Sequence, residues 1–505
     1  MLLAGRVASR LTANRRAGRG RCYRPGVLAS SRRRATSGCG SVATAPAEGP
    51  GSRGTGGPSL DGMQEPGQTP AVRPAAAEPL SSADLTLLAT DCGPAPMNIA
   101  AVLLVDGADD GTDEVPALLA ERAAAVPRFR QVVVPARRGR AAWQTDPRAD
   151  PAAHVTRLRL AGGGRRAVLD EAGRLAATPL DRSRPLWAAW WLTGWDEGAR
   201  QRGALVLVLH HVLVDGVGAL EMLASLADPR PDAPDASPPR TQAAAVRPRP
   251  SLRAVLHGLL ELRPGVLHLA ARTSINRPTE ATRRIGVVCL PLADLRDGAH
   301  RHGGTVNDAI VAAVVGALTR LLAARGEHPR SLVVSVPITA RAPGDRRVGN
   351  RNGVLPVAVP TAADLRSRVR HVAEATARRK SRPRGRSAAP LGLAFRGLAR
   401  LGLFRPFIEH QRLVHTFETN VRGPAERHRL GGHEVSAVLP VAVSPGNVGA
   451  SFAALSYAGG LCVTVITDPS LVPEADALVA HLADGLSALS GRLGFIQRAT
   501  PPPGP

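Results

Sequence analysis

Apolar and polar positions along the chain predict a mixed α/β protein. Short apolar runs between turn residues predict buried strands, and apolar residues three or four positions apart predict helices with one buried face. The predicted strands are 99–105, 205–209, 332–336, 354–359, 435–441, 452–457 and 461–466. The predicted helices are 114–126, 217–226, 306–325 and 473–489, and ordered structure is expected to begin near Pro79.

A proline-rich stretch divides this pattern into two halves of similar size. Residues 228–251 contain seven prolines, which predicts an exposed linker. The chain has 505 residues, more than one hydrophobic core normally supports. We therefore predict an N-terminal domain at 76–227 and a C-terminal domain at 252–495, with tails at 1–75 and 496–505.

The N-terminal tail is rich in arginine, glycine and proline and carries few large apolar side chains. It cannot bury enough surface to offset its chain entropy, so we expect it to be disordered and dispensable for catalysis. An arginine-rich, acid-poor leader is also typical of organelle transit peptides. A third interpretation is upstream sequence translated from a misplaced start, with Met63 as the true first residue.

The formal net charge of +24 is carried almost entirely by arginine, since Lys380 is the only lysine. An arginine excess beside abundant alanine, glycine and proline indicates a GC-rich coding bias. Nucleic-acid-binding proteins also use aromatic stacking platforms, and aromatics make up only 3% of this chain. An arginine-rich nucleic-acid-binding protein is therefore the alternative from another class. The charge is expected to favour coenzyme A phosphates or an anionic membrane face instead, with no nucleic acid partner.

The cysteines predict no disulfide framework and no metal site. They are scattered and never form a Cys-x-x-Cys pair; they are Cys22, Cys39, Cys92, Cys289 and Cys462. No apolar run approaches the roughly 20 residues that a membrane span needs. We expect a protein of the reducing cytoplasm, either free or peripheral on the inner face of the plasma membrane or on lipid inclusions.

One stretch, residues 210–216 with the sequence HHVLVDG, carries candidate chemistry. Neighbouring side chains of a strand point to opposite faces, so only one imidazole at the end of this apolar strand can face a given cavity. A neutral imidazole there is a natural base for a hydroxyl group near neutral pH, and His211 is the predicted base. Gly216 permits a tight turn into the next helix, which brings Asp215 back towards the histidines or onto an arginine. The simpler explanation is a buried pair, His210 and His211, followed by a helix-capping aspartate.

Further stretches, in order along the chain, resemble motifs of the wax ester synthase/diacylglycerol acyltransferase family. This family lies within the chloramphenicol acetyltransferase and condensation-domain superfamily, whose His-His-x-x-x-Asp-Gly spacing residues 210–216 share. Residues 179–187 (PLDRSRPLW), 307–312 (NDAIVA) and 419–424 (TNVRGP) resemble the family's PLDRSRPLW, NDVVLA and SNVPGP motifs, and 127–130 and 349–351 are also similar. Arg422 departs from the usual proline, and Ala309 and Ile310 also differ, which leaves substrate preference open more than reaction type.

The resemblance implies a two-domain α/β sandwich like that of chloramphenicol acetyltransferase, with the active site in a tunnel between the domains. It implies an acyl-CoA-dependent O-acyltransferase that esterifies a long-chain alcohol or diacylglycerol, with acyl-CoA as co-substrate and neither cofactor nor metal. His211 would act as general base, with His210, Asp215 and Gly216 completing the motif. Asp215 is expected to fix the loop through a buried arginine. The residues expected to bind substrate or support the site are Trp187, Asn307, Asp308 and Asn420.

Several of these residues also have simpler explanations. Asn307 and Asp308 can cap a helix, Trp187 can pack in the core, and Asn420 can be a turn residue. Residues 391–407 have the composition of a basic amphipathic helix, which either lies on a membrane or droplet surface or packs on the other domain. The same base would serve an amine, or a hydroxyl on a polyketide or carrier-bound chain, and a catalytically idle lipid-body coat is a further alternative.

Overall fold

The computed structural model of the chain describes residues 77–107, 114–135, 141–197, 200–229, 270–339, 352–380, 388–491 and 495–497. The predicted tail at 1–75 and nearly all of the predicted linker at 228–251 lie outside the described residues, as does most of 496–505. The proposed domain boundaries therefore stay predictions.

The first half of the chain supplies strands β1 to β7 and helices α1 to α4. The strands are β1 (Glu78–Pro79), β2 (Asn98–Asp106), β3 (Gln131–Pro135), β4 (Ala141–Thr145), β5 (Val155–Arg159), β6 (Trp187–Glu197) and β7 (Arg200–His210). The helices are α1 (Ser82–Thr90), α2 (Glu114–Ala125), α3 (Gly164–Ala176) and α4 (Gly216–Ala224), with short 3-10 turns at Pro127–Arg130 and Pro151–His154.

The second half supplies strands β8 to β16 and helices α5 to α10. The strands are β8 (Arg284–Pro291), β9 (Ser331–Thr339), β10 (Asn352–Pro360), β11 (Thr416–Arg422), β12 (Arg429–Leu430), β13 (His433–Val441), β14 (Ala450–Tyr457), β15 (Gly460–Thr467) and β16 (Phe495–Gln497). The helices are α5 (Leu292–Arg301), α6 (Val306–Ala324), α7 (Leu365–Lys380), α8 (Ala388–Arg400), α9 (Phe404–Glu409) and α10 (Ala475–Ser490).

Two large mixed sheets form the centre of the protein, which confirms the α/β class. The first has the strand order β12-β13-β2-β7-β6-β5, and the second has the order β10-β9-β11-β14-β15-β8-β16; a small sheet of β1, β4 and β3 lies beside them. Strand β13 comes from the second half of the chain yet pairs antiparallel with β2, for example Leu439 opposite Val102. The two halves are thus joined by an exchanged strand, which the linear domain boundaries do not anticipate.

Apolar side chains from both sheets pack together between them. One buried cluster combines Val102 and Val206 of the first sheet with Val287 and Ala453 of the second. Burial of such a continuous apolar surface is the main favourable term in holding two layers together. The layers are therefore fixed by their packing as well as by the exchanged strand.

Helix α6 forms the core of the second half. Thr305 caps its start, twelve of its side chains are buried, and Gly326 follows it with the positive φ of 74° typical of a residue after a helix end. By length and composition alone this helix could cross a membrane, and it is the one such helix among the described residues. Its burial between sheet and helices is that of a core helix, as the apolar spacing of 306–325 predicts.

Two expectations from the sequence need correction. Residues 391–407 form not one helix but parts of α8 and α9, because Gly402, with a φ of 74°, reverses the chain between them. Cys289 and Cys462 stand directly opposite each other in the β8–β15 ladder and are joined by a disulfide. Because the two cysteines are 173 residues apart in the sequence, local spacing could not indicate that they pair.

Candidate active site

The two histidines lie where β7 leaves the first sheet. His210 is the last residue of β7 and stands opposite Asn98 of β2. His211 begins the following turn, and its backbone N–H donates to the carbonyl of Met97 at 2.8 Å. The His210 side chain is only 3% exposed, whereas His211 is partly exposed. The neighbours therefore occupy different environments, as the alternation of strand side chains predicts.

Both ring nitrogens of His210 are engaged in hydrogen bonds. Its Nε2 lies 2.9 Å from Oδ2 of Asp91, and its Nδ1 accepts the backbone N–H of Val212 at 3.1 Å. An Nδ1 that accepts and an Nε2 that faces a carboxylate place the ring proton on Nε2. His210 is thus fixed in both orientation and tautomer.

Asp91, the residue that ends α1, connects three parts of this region. Its carboxylate contacts His210, accepts the backbone N–H of Met97 at 3.1 Å and forms an ion pair with Arg182. Burial pushes the pKa of Asp91 up, but the hydrogen bond from His210 and the charge and hydrogen bond of Arg182 leave the pKa below its usual value. The carboxylate stays ionised. Sequence reasoning missed this residue, because it lies 119 residues before His210 and belongs to no recognisable spacing.

Asp215 is fully buried and caps helix α4. Its Oδ1 accepts the backbone N–H of Gly218 at 3.0 Å. This bond satisfies one of the backbone N–H groups that have no partner within the first turn of a helix. The helix-capping explanation of this aspartate is therefore correct. The expected pairing with a buried arginine stays a prediction.

Gly216 is required for a different reason from the one expected. Gly216 is not one of the glycines whose φ lies in the left-handed region, so no tight turn demands a glycine there. A Cβ at this position would instead stand 2.9 Å from Cγ2 of Val421 on β11, which is closer than such contacts occur. Gly216 thus allows the start of α4 to lie against the second sheet, directly after the histidine turn.

Trp187 packs in the core behind the histidine pair. It is 1% exposed, its Nε1–H donates to the carbonyl of Phe129 at 2.8 Å, and its ring stacks on that of His154 with 4.8 Å between centroids. It stands opposite Leu209 in the β6–β7 ladder. The core-packing explanation holds: Trp187 supports the strand that presents His210.

Asp308 completes a capping box at the start of α6. Its Oδ2 accepts the backbone N–H of Thr305 at 2.9 Å, and its Oδ1 accepts the hydroxyl of Thr376 at 3.1 Å. This reciprocal arrangement stabilises a helix start, so the capping explanation holds for Asp308. Asn307, the second residue of the helix, is partly exposed.

Strand β11 carries a buried carboxyl group that sequence reasoning missed. Glu418 is fully buried, and among the described residues neither of its carboxylate oxygens has a hydrogen-bond partner. Burial, and then the nearby charge of Asp308, raise the pKa of Glu418 to about 8. The polar alternation of Thr416, Glu418 and Asn420 on a strand between two others is the signal that could have drawn attention to it.

A cavity of about 310 Å³ lies between the two sheets, away from the histidines. It is lined by residues such as Leu104, Arg202 and Tyr457. Arg202 precedes His210 by eight residues on β7, which corresponds to about 26 Å along a strand. This cavity is therefore not the immediate surroundings of the histidine pair.

The comparisons with known proteins agree on one family. The wax ester synthase/diacylglycerol acyltransferase catalytic domain matches residues 80–268, and the C-terminal domain of the same family matches residues 348–490. A Mycobacterium tuberculosis protein named as a diacylglycerol O-acyltransferase is 30% identical, with 77% of this chain and 90% of that protein covered. The chain belongs to the wax ester synthase/diacylglycerol acyltransferase family.

Solved structures agree on the fold. The wax ester synthase/diacylglycerol acyltransferase of Marinobacter aquaeolei superposes with a TM-score of 0.61 at 22% identity, with 82% of this chain and 100% of that chain covered. The starter condensation domain of rhizomide synthetase superposes with a TM-score of 0.56 at 17% identity, with 83% and 95% covered. These superpositions confirm the predicted fold. The family match and the named relatives confirm the assignment as an acyltransferase.

In this acyltransferase the motif residues do not all gather at one point. His210, His211, Asp215 and Gly216 lie together at the end of β7, and Val421 of the TNVRGP stretch touches them through Gly216. Asn420 stands opposite Ala454, whose side chain belongs to the core around α6. Neighbours on a strand face opposite ways, so Asn420 faces that helix layer, away from Gly216. The TNVRGP stretch thus approaches the turn that follows the histidines through its valine.

Proposed function

We propose that this protein transfers an acyl group from acyl-CoA to the hydroxyl group of a long-chain alcohol or a diacylglycerol, with His211 as the general base. The observation that carries the proposal is the difference between the two histidines. His210 has a partner on each ring nitrogen, so it cannot accept a substrate proton without breaking one of these bonds. His211 lies on the adjoining turn, partly exposed.

The reaction proceeds without a covalent enzyme intermediate. The Nδ1 of His211 is buried, so we assign the proton transfer to Nε2. This atom takes the hydroxyl proton while the oxygen attacks the thioester carbonyl; the C–S bond then breaks and the coenzyme A sulfur leaves with that proton. Because the thioester is already activated, the step requires neither a cofactor nor a metal.

Each supporting residue has a positioning role in this scheme. Asp91 holds His210 and the backbone of Met97, whose carbonyl in turn holds the backbone of His211. Asp215 and Gly216 fix the start of α4 directly after the turn. Orientation of this kind can contribute several kcal/mol to a reaction between two bound substrates.

The acceptor follows from the names of the relatives. The family includes wax ester synthases, and the M. tuberculosis relative carries the name of a diacylglycerol O-acyltransferase. Both acceptors are lipids with a hydroxyl group, so we also propose that the protein acts peripherally on a membrane or lipid inclusion.

Product analysis tests the proposal. The purified full chain is incubated with palmitoyl-CoA and, separately, with hexadecanol, a diacylglycerol and a long-chain amine, and products and free thiol are measured. We expect wax ester or triacylglycerol with an equal amount of thiol. Amide formation without ester would assign the protein to another branch of the superfamily, and intact palmitoyl-CoA in all three mixtures would contradict the proposal.

A further inference from the structure

The large exposed apolar side chains of the described residues all lie in one short segment. They are Leu393, Leu401 and Leu403, with exposed fractions of 45%, 72% and 51%. All three belong to the helix hairpin, which we define as residues 388–409 and which consists of α8, a three-residue turn and α9. Clustered exposure of this kind indicates a surface with a partner.

The turn of the helix hairpin holds two of these leucines in fixed positions. The backbone N–H of Leu403 donates to the carbonyl of Leu398 at 2.8 Å, and the N–H of Gly402 donates to that of Ala399 at 3.1 Å. These bonds, with Gly402 in the left-handed region, form a helix-ending motif. Leu401 and Leu403 flank Gly402 at the tip, so their exposure is built into the backbone.

The inner face of the helix hairpin already has its own small core. Phe395, Phe404 and Phe407 pack against one another with ring centroids 5.3–6.0 Å apart. They join Ala89 and Cys92 in a cluster separate from the three larger ones. The exposed leucines therefore add nothing to that packing, and their apolar surface stays available to a partner.

The charge around the helix hairpin favours an anionic partner. The helix hairpin holds three basic residues, Arg396, Arg400 and Arg405, and one acidic residue, Glu409, so it carries a net charge of +2. Within the helix hairpin Arg400 is exposed, and burial and then the charge of Arg400 lower the pKa of Arg396. Anionic groups near these arginines would offset that mutual repulsion.

The helix hairpin is attached directly to the helix that leads to the catalytic histidines. The guanidinium of Arg396 donates to the carbonyl of Ser82 at 2.7 Å, at the start of α1. Helix α1 has nine residues, or about 13 Å, and ends at Asp91, which holds His210. A surface bound by the helix hairpin would therefore lie near the end of the chain segment that holds His210.

We propose that the helix hairpin docks this enzyme on an anionic lipid surface, with Leu401 and Leu403 inserted among the acyl chains and Arg400 beside the headgroups. Leucines flanked by arginines are the combination that interfacial segments use, since apolar insertion and headgroup attraction add. This docking deepens the proposed function and rests on it for the reason why the enzyme would bind lipid. Lipid binding itself requires no turnover and can be measured separately.

Vesicle flotation of the full chain tests the proposal. Vesicles of phosphatidylcholine alone are compared with phosphatidylcholine mixed with phosphatidylglycerol, at low and high salt. We expect binding to the mixed vesicles that weakens with salt. The variant Leu401→Ser/Leu403→Ser should bind at least about tenfold more weakly, and Leu401→Met/Leu403→Met, which stays apolar, should bind as the original chain does.

Matched arginine variants and turnover complete the test. Arg400→Ser should weaken binding about fivefold at low salt, whereas Arg320→Ser, at an exposed arginine on α6, should not. The serine variants should keep turnover on a short-chain acyl-CoA with a short alcohol and lose turnover on vesicle-borne diacylglycerol. If the chain has no acyltransferase activity, the proposed function fails while the binding results still decide this inference.

Unchanged flotation of Leu401→Ser/Leu403→Ser, with its melting temperature preserved, would overturn the proposal. So would a dimer in solution that these serine substitutions dissociate, because the leucines would then cover a second copy of the chain. Binding of the original chain to neither kind of vesicle would overturn it as well.

Discussion

Asp91 and Glu418 are carboxyl groups withdrawn from solvent in the two halves of the protein, and their surroundings differ. Asp91 has a backbone N–H, a histidine and an arginine around it, and these partners hold its pKa below the usual value although burial alone would raise it. Glu418 has no hydrogen-bond partner among the described residues, and its pKa is raised to about 8. Both carboxyl groups are buried, so the presence or absence of hydrogen-bond donors and positive charges decides whether each one is ionised.

This contrast distinguishes the surroundings of the proposed catalytic histidines from the core of the second half. Around the histidines, charge is stabilised by donors, so orientation is maintained over a broad pH range. In the core beside α6, a carboxyl group keeps its proton because ionisation there has nothing to compensate it. We expect substitutions in the first region to affect turnover and substitutions in the second to affect stability and its pH dependence.

The largest effect is expected at the histidines. His211→Ala should reduce turnover by roughly 10²–10⁴-fold, the usual contribution of a general base. His210→Ala should reduce it by a smaller factor, because this ring positions and does not accept the substrate proton. Turnover of each variant with palmitoyl-CoA and hexadecanol, measured on protein with an unchanged melting temperature, checks the order.

His300→Ala is the matched control, since this histidine is exposed at the end of α5 and should leave turnover unchanged. A folded His211→Ala variant that retains near-original turnover would refute the assignment of the base. A larger loss for His210→Ala than for His211→Ala would exchange the two roles.

Glu418→Gln should change how stability depends on pH. The folded protein keeps the Glu418 proton up to about pH 8, whereas an unfolded glutamate releases it near pH 4.5. The folded state thus binds the extra proton in this window, so stability falls as pH rises from 4.5 to about 8, by an amount on the order of a few kcal/mol. Glutamine removes this contribution, and urea unfolding at pH 5 and pH 8 measures it.

The difference between the original chain and the variant isolates Glu418 from other groups. His415, whose pKa burial lowers to about 4, destabilises the fold as pH falls from 6.5 towards 4, and it contributes equally to both proteins. Glu434→Gln, at a partly exposed glutamate paired with Arg427, is the matched control. Equal pH slopes for the original chain and Glu418→Gln would mean that Glu418 is charged in the fold.

Asp91→Asn should have a moderate effect on turnover. Asparagine can still accept the N–H of Met97, but it cannot offer a charge to His210 and Arg182. A loss of about tenfold to hundredfold is expected, since loss of a charged hydrogen bond is worth roughly 1.5–3 kcal/mol. Asp150→Asn, at an exposed aspartate that caps a 3-10 turn, is the control. Unchanged turnover in Asp91→Asn would mean that the orientation of His210 does not depend on the charge.

Periodicity and motif spacing located several elements well but missed others, among them α3, β6 and β8, and they did not indicate which strands pair. The predicted helix at 306–325 differs from α6 by one residue, because a long apolar face with a capping threonine and a closing glycine leaves little choice. Strand β7 is longer than predicted, since Arg200–Gly203 pair across the sheet although they lack the apolar signal. Strand propensity depends on neighbouring residues in the sequence, whereas the pairing that extends β7 depends on strands β2 and β6.

The candidate site shows the same limit. Residues 210–216 are contiguous, so the sequence alone could single them out as a candidate site. Asp91 contacts His210 from 119 residues away, and no local spacing records such a contact. The sequence singled out Gly216 because glycine permits a tight turn, but the structure requires glycine there for another reason. Val421, on a strand distant in sequence, leaves no room for a Cβ at this position.

The smallest effect is expected at Asp215, which belongs with Asp91 among the carboxylates that have donors. Its described partner is the N–H of Gly218, and loss of a helix cap costs about 0.5–2 kcal/mol. Asp215→Ala should therefore lower the free energy of unfolding by this amount and leave the remaining folded protein active, whereas Asp215→Asn, which still caps a helix, should lower it less.

Urea unfolding and turnover of both variants decide between three roles of Asp215. If asparagine destabilises as much as alanine, by several kcal/mol, the charge is paired with an arginine, as the sequence predicts. If Asp215→Ala is as stable as the original chain but inactive, Asp215 takes part in the reaction, and the division between positioning carboxylates and the catalytic histidine must be redrawn.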